Sequence, residues 1–424
     1  MKYILGGTVS LNAVIGAGAY GVVYRGFCHK RNVSVAVKAL PLNGGPSTSL
    51  DHCKQHHLSC GGEEVECIAG VELDLNAVVK NYATPCLLSQ GRPRSRLYRE
   101  VALHAKVHSH PNVVTIYALF ESHDTLYVVM EYFARGDLFH AITELHWYVH
   151  NDDMIATIYN QLLSAVGYCH SQGVYHCDLK PENVLVSNDG TRVVISDFGL
   201  ATSQLECHEY GCGSSFYMSP ERLDTVVKPS TGKRTFASVE GFSTPKADVW
   251  ALGIILLNLT CGRNPWKRAS IHDASYRAFL KDGYFLERIM PISPKLAQFL
   301  KRVFAAPSRR PSIDEARILF NRISQFSAIR KPFALHSPIH YPQKPQRPVA
   351  NIHPPSPQSP GRDPHISAVP TLSAMTSIPS SDSICSGVQT PLCPSPPPEL
   401  YSKILLPPIV IHEQPPKRFH ANVL

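Results

Sequence analysis

This sequence has no stretch long and apolar enough to cross a bilayer. Its greasiest run, ALGIILLNL from Ala251 to Leu259, covers nine residues, against about 20 for a membrane-spanning helix. The opening MKYILGGTVSLNAVIG lacks the apolar core and small-residue cleavage site of a secretory leader. Blocks of like charge are also missing. The net charge is +8, but Lys and Arg are scattered, which reads as a solvated face rather than a nucleic-acid surface. No repeat unit stands out. Without a leader, the 12 cysteines point to a reducing setting, cytoplasmic or nuclear. Neither a membrane nor a nucleic acid is expected as a partner.

A hydrophobic content of 44% over 424 residues supports a substantial core. Composition then shifts near Arg330 to a Pro/Ser-rich style that excludes helices and central strands. An ordered body over 1–325 and a disordered tail over 326–424 are expected. Within the body, 42–94 (rich in Gly, Ser, His and Cys) and 225–243 read as inserted loops. The first holds His52, Cys53, His56, His57, Cys60 and Cys67. Zinc ligands are drawn from those residue types, but no CxxC…HxxxH spacing is present and a loop is the expectation.

Short β-type runs fill the first third: NAVIGAGAYGVVYRGF, VSVAVKAL, VVTIYALF and TLYVVMEYF. From Asp152 the period becomes helical, with Ile155, Ile158, Leu162, Ala165, Val166 and Cys169 on one face and Gly173 as terminator. ADVWALGIILLNLTCG is apolar nearly all round, as a fully buried helix would be. A small β-rich lobe over about 1–131 followed by a larger α-helical lobe over about 134–325 makes an α+β arrangement.

Gly16, Ala17, Gly18 and Gly21 form a GxGxxG stretch whose backbone can approach phosphate oxygens closely. Dinucleotide sites need the strand to open into a helix. Here Val22 and Val23 follow at once, so a hairpin fits better. Lys38 stands alone in VSVAVKAL, on the same face as Ala36, where it could ground phosphates or merely guard a sheet edge. Glu100 lies beside the helical stripe Leu97, Val101 and Ala105, within reach of Lys38 or simply exposed. His104, one turn on, is either an interior histidine or a pH sensor.

In HCDLKPENVL, Asp178 and Asn183 bracket a proline turn with Lys180 between them, and Asp197 precedes Phe-Gly in VVISDFGLA. Asp178 suits a group that takes the proton of an attacking hydroxyl. Lys180 suits a counter-charge for a moving phosphoryl group, and Asn183 and Asp197 suit Mg²⁺. In this order and spacing the chain resembles the eukaryotic protein kinases over residues 9–325. The lysine in DLKPEN and the segment GSSFYMSPE resemble the serine/threonine type. HCDLKPEN with GCGSSFYMSPE more narrowly resembles fungal kinases that repress meiosis or respond to nutrients.

That resemblance implies a bilobal kinase fold, ATP and Mg²⁺ as cofactors, and protein substrates. It implies Lys38 paired with Glu100, Met130 as gatekeeper, and a hinge from Glu131 to Phe133. It also places Val23, Ala36 and Leu185 around the purine and Asp137 near the ribose and the substrate. Glu221 would pair with Arg310, Asp248 would brace the catalytic loop, and Ser214 would contact Asp178 and Lys180.

One residue departs from the pattern. Cys177 stands where an arginine is expected, removing the cation that would meet an activation-segment phosphate. A dead enzyme, thiol chemistry and a different mode of control are the three readings. Since Lys38, Asp178 and Asp197 are all retained, control independent of activation-segment phosphorylation is expected. Asp178 would raise the thiol pKa, against a redox role. A pseudokinase-like scaffold is the alternative function. In the tail, Ser337, Ser356, Ser359, Thr390 and Ser395 precede proline and PQKPQRP is a polyproline candidate, so proline-directed kinases and SH3 or WW domains are candidate partners.

Overall fold

The computed structural model describes residues 2–18, 21–42, 55–60, 63–83, 93–223 and 241–328. The first part of the chain gives β1 (Lys2–Ile4), β2 (Val9–Gly18), β3 (Gly21–Cys28), β4 (Val33–Pro41), β5 (Gln55–Cys60), β6 (Glu63–Ile68) and β7 (Gly70–Leu73). Helices α1 (Leu75–Tyr82) and α2 (Pro93–Val107) follow, then β8 (Ile116–Ser122) and β9 (Thr125–Glu131). All nine strands form one sheet in the order β5-β6-β1-β2-β3-β4-β9-β8-β7.

That order has a geometric consequence. Strands β6 and β7 are seven steps apart, which in a flat sheet would be about 34 Å. Only Ala69 separates them along the chain, and one residue spans at most about 7 Å. The sheet therefore curls round until its two flanks meet, and residues 63–73 stitch them together. The first half pairs with β1 (Lys2↔Glu66, Tyr3↔Cys67) and the second with β8 (Gly70↔Ser122, Leu73↔Leu119). Inside the curl, Ile4, Val9, Leu11, Val35, Val37, Ile68, Phe120, Tyr127 and Val129 make a second core.

The loop expected over 42–94 is thus corrected for its described part, which contains three strands and α1. Its Gly, His and Ser content hid a local pair, β5 with β6, and longer-range partners for β6 at the extreme N-terminus and for β7 about fifty residues away. Asp74 caps α1 by accepting from the Asn76 N–H at 3.0 Å. His52 and Cys53 lie outside the described residues, as do the side chains of His56, His57 and Cys60. Cys67 is buried. Among the described residues no group of His, Cys, Asp and Glu is gathered to hold a metal.

The second part contains α3 (Leu138–Thr143), α4 (Asp152–Ser171), β10 (Val184–Val186), β11 (Val193–Ile195), β12 (Glu206–Cys207), α5 (Pro220–Leu223) and β13 (Phe242–Ser243). It ends with α6 (Thr244–Cys261), α7 (Ala274–Lys281), α8 (Phe285–Ile289), α9 (Pro294–Val303) and α10 (Ile313–Phe320). The α4 face expected from periodicity is buried, and Gly173 adopts φ 64° just beyond the helix end. Helix α6 is buried on all sides from Ala247 to Thr260 and stops at Gly262, with φ 68°.

Two boundaries move. Residues 225–240 lie outside the described residues, whereas Phe242–Ser243 pairs with Glu206–Cys207 as strand rather than loop. The body extends past 325: Phe326 is buried against Phe320, and Asp152 accepts from the backbone N–H groups of Phe326 (2.9 Å) and Ser327 (3.3 Å). The Pro/Ser-rich tail from 329 onward lies outside the described residues.

Candidate active site

Strands β2 and β3 form the expected hairpin, pairing Gly16 with Val23, Ala17 with Val22 and Gly18 with Gly21. The glycines have different reasons to be there. A Cβ on Gly21 would lie 2.2 Å from the Ala39 carbonyl oxygen, so sheet packing alone demands glycine. A Cβ on Gly16 would meet only Val23, at 3.8 Å. Space is open at that position, which follows a register shift between Val14 and Gly16.

Strand β4 lies between β3 and β9, so Lys38 is central and the edge-strand reading falls. Register places Val23 opposite Lys38 and Ala36 opposite Met130. Alternation along β4 then puts Val23, Ala36, Lys38 and Met130 on one face. Helix α2 brings Glu100 to that face. Lys38 Nζ donates to Glu100 Oε1 at 2.7 Å and to Asp197 Oδ1 at 2.9 Å. Burial opposes the Lys38 charge, but Glu100 and Asp197 outweigh it and hold the pKa above the ordinary lysine value. Asp197 is also partly desolvated, yet Lys38 keeps it below the usual carboxylate range and ionised. Its backbone is left-handed, with φ 58°.

The catalytic loop is held from behind by buried Asp248 of α6. Its carboxylate accepts from the backbone N–H groups of His176 (2.9 Å) and Cys177 (2.8 Å) and from His170 Nε2 (3.0 Å). In front, Asp178 Oδ2 accepts from Lys180 Nζ at 2.8 Å and from Asn183 Nδ2 at 3.1 Å, and Oδ1 accepts from the Ser214 N–H at 3.3 Å. Asn183 Nδ2 also donates to the Asp178 carbonyl at 2.8 Å. The amide nitrogen is therefore committed to the loop, and the oxygen is the atom Asn183 can offer a cation. Ser214 meets Asp178 through its backbone. Arg310, fully buried, forks onto Glu221 at 2.6 and 3.1 Å.

Past β9, Leu185 forms a β-bridge with Asp137, and Asp137 Oδ1 caps α3 by accepting from the His140 N–H at 2.8 Å. The hinge carries a contact the sequence did not announce. Arg192 grips Glu131 at 2.6 and 3.1 Å and stacks over Phe133. His104 is an interior histidine: Nε2–H donates to the Val114 carbonyl at 2.8 Å, and the ring stacks on Phe198 at 4.7 Å. A second unannounced contact is Arg222, whose guanidinium donates to the Cys177 carbonyl and, at 2.6 Å, to the Cys212 carbonyl. Its one sequence signal is position, immediately after Ser-Pro-Glu.

Residues 75–318 match the family model described as the protein kinase domain. That match begins after Lys38. The two halves of the site, separated along the chain by residues 42–94, meet through the 2.7 Å Lys38–Glu100 contact. The chain is 38% identical over 344 residues to the Schizosaccharomyces pombe protein named negative regulator of sexual conjugation and meiosis, covering 79% of this chain and 64% of that one. It is 33% identical to serine/threonine-protein kinase VHS1 of Saccharomyces cerevisiae, over 75% and 70%. It is also 33% identical to serine/threonine-protein kinase SKS1 of the same yeast, over 69% and 60%. The chain thus spans less than two thirds of two of these three relatives.

Proposed function

This chain belongs to the protein kinase family, and on that premise we propose that it moves the γ-phosphoryl group of ATP to serine or threonine hydroxyls of proteins. The observation that carries the reading is a continuous arrangement of charge. Glu100, Lys38 and Asp197 form one chain of contacts, and Lys180, Asp178 and Asn183 form another. A scaffold reading would be favoured by the loss of a member, and every member is present.

The residues fit a magnesium nucleotide. Asp197 is ionised and Asn183 can present its amide oxygen, a hard-oxygen donor pair of the kind Mg²⁺ prefers. Bound there, Mg²⁺ would neutralise phosphate charge. The chain's own residues do the rest by position and electrostatics. The Gly16–Gly21 hairpin and the Lys38 ammonium hold phosphate oxygens, and Glu100 keeps Lys38 in place. Val23, Ala36, Met130 and Leu185 enclose the purine, with the backbone of Glu131 and Phe133 as its hydrogen-bonding edge. Asp137 lies at the ribose end. Asp178 receives the proton of the substrate hydroxyl, while Lys180 offsets charge on the group in transit.

The S. pombe relative's name suggests signalling in meiotic control, and nutrient response is a related reading. A cytoplasmic or nuclear location suits either. The tail would supply proline-directed sites and SH3 or WW ligands. As the central test, purified Asp197→Asn should fold but lose transfer to a generic Ser/Thr peptide by at least about a thousandfold. Wild-type-like turnover in that variant would sink the assignment. Thermal stabilisation of the wild type by Mg-ATP with no transfer to itself or to any peptide would favour the scaffold instead.

A further inference from the structure

The segment leading to Ser-Pro-Glu presses directly on Asp178. Gly213 has φ 106°, and a Cβ there would fall 2.7 Å from Asp178 Oδ1. The next residue, Ser214, donates its N–H to that same oxygen. On its other side Asp178 follows Cys177, which is held in a left-handed turn with φ 60°. Asp178 is therefore positioned by two pieces of chain, residue 177 behind it and residues 212–214 in front.

Arg222 holds both pieces. It is 6% exposed, on the short helix α5. One terminal nitrogen donates to the Cys177 carbonyl, and the other donates to the Cys212 carbonyl at 2.6 Å. Its own backbone carbonyl accepts from the Gly211 N–H at 3.3 Å, gripping the same corner a second time. The guanidinium lies over Phe242, 5.5 Å from the ring centre, and Phe242 is paired with Cys207. Among the described residues, these contacts are to peptide carbonyls and a ring, not to a carboxylate or an added group.

We propose that Arg222 is a positioning residue that clamps the activation segment to the catalytic loop and so assembles Asp178 without a phosphate. A planar fork bridges two carbonyls in a way a single ammonium cannot. The cation absent at position 177 is thus supplied from the far side, and Cys177 contributes its carbonyl to the same contact. This inference rests on the kinase reading for its kinetic consequence but not for the clamp itself.

The test compares full-length wild type, Arg222→Lys and Arg222→Met by amide hydrogen exchange and by steady-state kinetics on a Ser/Thr peptide. Exchange over residues 206–218 should speed up at least tenfold in the Met variant while α4 and α6 keep their protection. The same variant should lose kcat at least tenfold, with KM for ATP within twofold of wild type, and Lys should fall between. Phosphatase-treated wild type should keep its kcat within twofold. Unchanged exchange over 206–218 overturns the clamp, as does ATP affinity that falls in parallel with kcat, which marks a general loss of fold. Inactivation by phosphatase overturns independence from phosphate. If the Met variant does not fold, the Lys variant carries both readouts. If the wild type transfers no phosphate, the kinase reading fails and the exchange data alone decide the clamp.

Discussion

Cys177 and His104 are both buried titratable side chains, and burial governs both. It pushes the Cys177 thiol well above its ordinary pKa, with buried Asp248 adding to the shift and Arg222 opposing it. Asp178, the neighbour expected to raise the thiol, contributes least of these carboxylates. The thiol stays protonated and is not a nucleophile. Burial pushes His104 down from 6.5 to about 3, against the opposing pull of its bond to Val114. The folded state therefore holds this ring neutral where the unfolded chain takes up a proton. Stability from His104 is complete above pH 6.5 and is lost as pH falls from 6.5 toward 3, by up to about 1.4 kcal/mol per pH unit. His104→Leu should be less stable at pH 7, because it leaves the Val114 carbonyl without its donor. Its denaturation midpoints should also fall less steeply than those of the wild type between pH 6.5 and 5. Parallel slopes would show that the ring ionises in the fold. A pH-sensing role between pH 6 and 8 does not survive a pKa near 3.

At the scale of elements, the segment 63–73 is the unusual one. Each half is too short to persist alone and depends on pairing, by β6 with β5 and β1 and by β7 with β8. Gly70 fixes the second contact: a Cβ there would sit 2.3 Å from the Glu121 carbonyl oxygen and 2.6 Å from the Phe120 ring. Although Gly70 is exposed, Gly70→Val should break the β7–β8 pairing and cost about 1–3 kcal/mol, because the added side chain meets backbone of the paired strand. Chemical denaturation would read this directly, and a loss below about 0.5 kcal/mol, typical of a surface site, would show that the stitch is dispensable. Helices α2 and α6 are more ordinary. The stripe on α2 puts Glu100 inward beside Lys38, and α6 is buried all round, so that Asp248 reaches the catalytic loop from inside the core.

For the whole molecule, every catalytic contact described above is made by residues up to Arg310, with Phe326 closing the body. Deleting 329–424 should therefore leave kcat on a short peptide within about twofold, a change worth about 0.4 kcal/mol of barrier. A large loss of turnover on such a peptide would place part of the machinery in the tail.

The sequence by itself determined which side chains the candidate site holds. The order Gly16, Lys38, Glu100, Asp178, Asn183, Asp197 was legible because these residues lie in short motifs with local spacing. The stripe of α4 and the all-round apolar run of α6 were legible for a related reason, since each is a pattern among residues close in sequence. Only the tertiary structure decided what closes the sheet and what holds the activation segment. The stitch depends on β1 and β8, and the clamp joins Arg222 to a carbonyl 45 positions away. Backbone carbonyls carry no letter in a sequence, and β6 and β7, strands of six and four residues, are tied into the sheet by the distant β1 and β8 rather than by their own pattern.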